Sequence, residues 1–158
     1  MSERVPKKAE PPSERNLDGV KGAIVARAVA EEEFDRWTEA MGLDLDLADM
    51  DEDDRKGLAV ERGRIVRALQ RSHAVVNDEG ELVFTPQRRK SRHKDPITFR
   101  EQTGATLIAT DRHKEGKNVA KLYAVLGDVC EVEQKVFAGL ASSDAAFCRA
   151  VAQVFLGG

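Results

Sequence analysis

Near the middle of the chain two short β-prone runs, 73–76 and 81–85, flank Asn77-Asp78-Glu79-Gly80. Asn, Asp and Gly readily adopt the turn conformations that reverse a strand, so this four-residue loop signals a β-hairpin. Helical periodicity surrounds it. Phe34, Trp37 and Met41 fall at i, i+3 and i+7 within 20–41, which places Trp37 as a core anchor. Leu58, Ile65 and Leu69 fall at i, i+7 and i+11 in a second helix that starts among the aspartates of 44–54 and runs to Arg71. A two-stranded hairpin is barely stable alone. The chain therefore predicts a predominantly helical α+β fold, a small antiparallel sheet packed with amphipathic helices.

Beyond Pro86 comes a basic connection, 87–94, without an apolar residue. Ile97 and Phe99 then alternate with Thr98 and Arg100, the two-residue period of a half-buried third strand. Thr103 can cap a helix beginning with Gly104. Val119, Leu122, Tyr123 and Leu126 follow the spacing i, i+3, i+4 and i+7, with Gly127 placed to end that helix. Ser143 and Asp144 mark a further helix start, and Phe147, Val151, Val154 and Phe155 repeat the apolar spacing before Gly157-Gly158. Residues 1–17 hold three of the five prolines and almost no large apolar side chain, so a disordered arm is expected there. Residues 18–158 then form one domain, with helical parts at 18–71 and 101–158 and the strands within 72–100, a length that can bury a core.

Charge is segregated along the chain. Residues 31–54 carry 12 acids against one base, net −11, whereas 55–94 carry 11 bases against four acids, net +7. Pairing within one chain and pairing between copies as a homo-oligomer both satisfy this pattern. Arg88, Arg89, Lys90, Arg92 and Lys94 invite a phosphate-binding reading. Against it stand the overall charge of −3 and the lack of an aromatic residue among them to stack on bases, so nucleic acid is not the expected partner.

Chemistry finds little support. His73, His93 and His113 lie in no triad or zinc-binding phrase, and the glycines form no phosphate loop. Asp49, Asp51 and Asp53 alternate like the first ligands of a calcium loop, but the sixth position holds Asp54 where Gly is needed and the twelfth holds Val60 where Glu is needed. Cys130 and Cys148 have no metal-type spacing and read as reduced, buried small residues. We therefore expect no enzyme, no cofactor, no metal and no catalytic residue. The longest apolar run, 23–30, is short and interrupted by Arg27, so no membrane segment is expected.

The segment "ITFREQTGATLIATDRHK", followed by "KLYAVLGDV" and a Phe-rich terminal helix, spans most of 97–156 and resembles the tail assembly chaperones of long-tailed bacteriophages. The resemblance implies a non-enzymatic protein of the host cytoplasm. It would bind the tape-measure protein, help gather tail tube protein around it, and be absent from the mature virion. Many members also have a minority product lengthened by a translational frameshift, and Gly157-Gly158 would suit that junction. The Pro-rich arm and the long acidic segment depart from the family pattern. For such a role the expected partner-binding residues are Phe147, Val151, Val154, Phe155 and Leu156, the outer part of whose face would join a groove for a client helix. The alternatives are a structural virion subunit, either tail-tube-associated or a head-to-tail connector, and a small nucleic-acid-binding regulator.

Overall fold

The computed structural model describes residues 24–43, 45–111 and 118–157; the expected arm at 1–17, the first helix's start at Val20, and His113 lie outside them. Among the described residues six α-helices and three strands follow in chain order: α1 Arg27–Ala40, α2 Glu52–Gln70, β1 Ala74–Val76, β2 Leu82–Phe84, β3 Ile97–Phe99, α3 Gly104–Asp111, α4 Asn118–Cys130, α5 Lys135–Ala138 and α6 Ser142–Gly157. A 3-10 turn, Leu47–Asp49, precedes α2. The fold is predominantly helical α+β.

The acidic run supplies the start of α2. Asp51 caps it by accepting from the backbone N–H of Asp54 at 2.8 Å, while Glu52, Asp53 and Asp54 occupy the first turn, where negative charge meets the positive end of the helix dipole. Asp46 caps the 3-10 turn in the same manner. At the other end of α2 the chain leaves through a residue of positive φ, Ser72, and the His73 N–H returns to the Ala68 carbonyl.

The three strands form one antiparallel sheet in sequence order, with Ala74 opposite Phe84, Leu82 opposite Phe99 and Phe84 opposite Ile97. Ala74, Val76, Leu82, Phe84, Ile97 and Phe99 all point to one buried face, as their period of two requires. Arg36 of α1 donates to the carbonyls of Val76 and Asn77, fixing the hairpin against that helix. The turn itself approaches closely. Gly80 has φ +82°, and a Cβ there would lie 2.4 Å from that of Ala40, so a glycine is needed on both counts.

Helix α6 is the centre of the core. Phe147 stacks on Phe84 with ring centroids 4.1 Å apart and meets Phe99 edge-on at 6.2 Å, while Phe155 meets the edge of Trp37 at 5.7 Å. Trp37 is fully buried, as its place in the periodicity implies. One boundary departs from the sequence reading. Gly127 does not end α4, which continues to Cys130 and buries Val129 and Cys130; the αL residue that terminates it is Glu131, with φ +56°. The Val132 N–H then returns to the Gly127 carbonyl at 3.2 Å. Gly127 serves instead as a gap, since a Cβ there would press within 3.0 Å of Gln134 in the returning loop.

Candidate functional site

Helices α2 and α6 pack side by side in opposite directions, so the start of α2 lies with the end of α6. Between those ends runs a groove of about 520 Å³ with Met50, Leu58 and Leu156 on its apolar floor and Asp53, Asp54 and Glu61 at its rim. Leu58 also lines an adjoining slot of about 360 Å³, where Leu43, Leu45 and Leu47 approach Phe34, with Asp35 and Glu39 beside them. Leu47 is 51% exposed and Leu156 38% exposed. Among the described residues, Glu39, Asp53, Asp54 and Glu61 have no cationic partner, whereas Asp35 faces Arg62 at 3.8 Å. This is an apolar trough whose acidic rim is largely unpaired, Arg62 in the slot answering Asp35.

The expected partner-binding face divides sharply. Phe147, Val151, Val154 and Phe155 are all buried by their own chain, packed against the sheet, α1, α2 and α4, and are therefore core residues unable to receive a partner without unfolding α6. Leu156 alone of the five is exposed, and it lines the groove. The leucines that complete the trough were visible in the sequence as an alternation within the acidic run at Leu43, Leu45 and Leu47. Their role depends on the 3-10 turn that folds this segment back towards Leu58.

The opposite end of the same helix pair is basic. Arg64, Arg67 and Arg71 of α2, His73 and Arg88 surround a cleft of about 300 Å³ floored by Phe84 and Phe147. Asp144 also lines it, but its carboxylate is engaged: it accepts from the backbone N–H groups of Gln87 and Arg88 and from the Ser91 hydroxyl at 2.6 Å. Ser91, itself 1% exposed, accepts in turn from the Ala141 N–H. The basic connection, though it holds no apolar residue, is thus clasped to the start of α6. Lys94 closes it further by donating to the carbonyls of Arg88 and Arg89.

Among the described residues, burial governs both cysteines and His73. Burial pushes the thiols of Cys130 and Cys148 well above the usual range, which disfavours the nucleophilic thiolate, and both are free. His73 is held below the usual imidazole value by burial and by Arg71. Among the described residues no group of His, Cys, Asp or Glu is placed to hold a metal ion, and no helix is long and apolar enough to cross a membrane. Comparison with protein-family models, with curated proteins and with solved structures returned no match.

Proposed function

We propose that this chain is a non-enzymatic binding protein whose acid-rimmed trough receives a basic amphipathic helix of a client protein. The observation that carries the reading is the trough itself. Leu47, Met50, Leu58 and Leu156 present apolar surface beside acids that lack internal partners. A helix bearing an apolar stripe flanked by Lys or Arg complements both features, the stripe supplying affinity and the charges supplying orientation and encounter rate. The resemblance at 97–156 to phage tail assembly chaperones supplies the client, the tape-measure protein, whose long apolar-striped helices need cover before assembly. The tail tube protein would be gathered at the same stage.

Co-expression with a tape-measure protein from the same genome, the proposed client, tests the reading. The client should remain in the soluble fraction and co-purify with the wild-type chain, while Leu47→Glu/Leu156→Glu, which changes only exposed side chains, should lose it. A client that precipitates unchanged, together with recovery of this chain in finished particles, would replace the chaperone with a structural virion subunit.

A further inference from the structure

We propose that copies of this chain associate head to tail, the acidic end of the α2–α6 pair in one copy seating on the basic cleft of the next. Within one molecule the segregated acids and bases pair only in part, through Lys56 with Glu52 and through Arg62 with Glu31 and Asp35, and Asp53 and Asp54 at the start of α2 cannot reach Arg67 and Arg71 at its end. That helix has 19 residues, so it holds its ends about 28 Å apart. Asp54 and Arg64 are separated by about 15 Å along the axis, beyond the combined reach of their side chains, and Glu61, one turn from Arg64, makes no ion pair with it among the described residues. Complementary surfaces fixed at opposite ends of a rigid element can meet only between molecules.

Both ends are uncompensated as they stand. Arg27, Arg36, Arg62 and Arg100 each face a carboxylate of their own chain. Arg64, Arg67, Arg71 and Arg88 have no such partner among the described residues, because the one carboxylate lining their cleft, Asp144, is turned to the loop backbone and Ser91. At the other end Asp53, Asp54 and Glu61 are likewise unpaired, beside exposed Leu156. Arginine stems are apolar enough to lie across that leucine while their guanidinium groups reach the acidic rim. Nucleic acid fits the basic end less well, since its aromatic lining, Phe84 and Phe147, is buried and unable to stack on bases.

An interface that joins two different surfaces leaves one free surface of each kind, so it propagates into open chains or closes into rings. It is also built largely from exposed charges, which are weak singly and screened by salt. The acidic groove is the one assigned above to a client helix, so client and neighbouring copy compete for it. The self-association rests on charge placement alone and does not depend on the client reading.

Sedimentation velocity of the full chain tests the proposal. At low ionic strength the wild type should form oligomers that grow with concentration and collapse to the 17.4 kDa monomer in about 0.5 M salt. Arg67→Glu/Arg71→Glu and Asp53→Lys/Asp54→Lys, each checked by circular dichroism for an intact fold, should be monomeric alone and should associate again when mixed. A wild type that stays monomeric at every salt concentration overturns the proposal, as does a silent mixture of folded variants. A monomeric wild type that binds a short DNA duplex through the arginines would also overturn it in favour of a polyanion site. Client capture by a monomeric chain would refute self-association while leaving the proposed function standing.

Discussion

Phe147 joins the last helix to the sheet, stacked on Phe84 and edge-on to Phe99. Its apolar spacing was plain in the sequence, but whether the ring faced the core or a partner was not, since both surfaces select the same side chains. Burial decides it, and Phe147→Ala should destabilise the chain by about 3 to 5 kcal/mol in urea denaturation; a near-neutral result would contradict the core assignment. His73 gives a pH-dependent counterpart. Because burial and Arg71 lower its folded-state pKa despite the opposing Asp144, the unfolded chain takes up its proton at higher pH. The stability it contributes is complete above the ordinary imidazole value of about 6.5 and is lost as pH falls through the lower folded value. The urea midpoint should therefore drop between about pH 7.5 and 5.5, and less so in His73→Gln. Equal drops in the two proteins would exclude His73 as a source.

At the scale of elements, sequence periodicity located the helices and strands better than it located their ends. Glycine is the usual signal for a helix terminus, yet α4 passes through Gly127 and stops at Glu131, because two further residues, Val129 and Cys130, have core to fill. A non-glycine residue in the αL region is strained, so Glu131→Gly should raise stability by about 1 kcal/mol; a loss would show that the side chain has a role outweighing the strain. The basic connection hid more. Nothing in the spacing of Gln87, Arg88 and Ser91 from Asp144 announces that a carboxylate more than 50 residues away gathers their donors. Asp144→Ala should leave those groups unpaired at a buried site and cost about 2 to 4 kcal/mol, with faster proteolysis within 87–94. Unchanged stability and cleavage would show the loop to be held by other contacts.

For the whole molecule, the two charged segments were fully legible as composition, net −11 and net +7, but their relation was not. Only the antiparallel packing of α2 on α6 sets an acidic, leucine-floored trough at one end of a helix pair and an arginine-lined cleft at the other. The same packing withdraws Phe147, Val151, Val154 and Phe155 into the core and leaves Leu156 at the trough. Binding by the trough is the central claim, and fluorescence anisotropy tests it most directly. A labelled peptide carrying one basic amphipathic helix of the proposed client, a tape-measure protein, would be titrated with the wild-type chain and with Leu47→Glu/Leu156→Glu. The account predicts binding that weakens at least about tenfold in the variant, as expected for losing the burial of leucine side chains. Equal affinity for the two proteins would place the client elsewhere and contradict it.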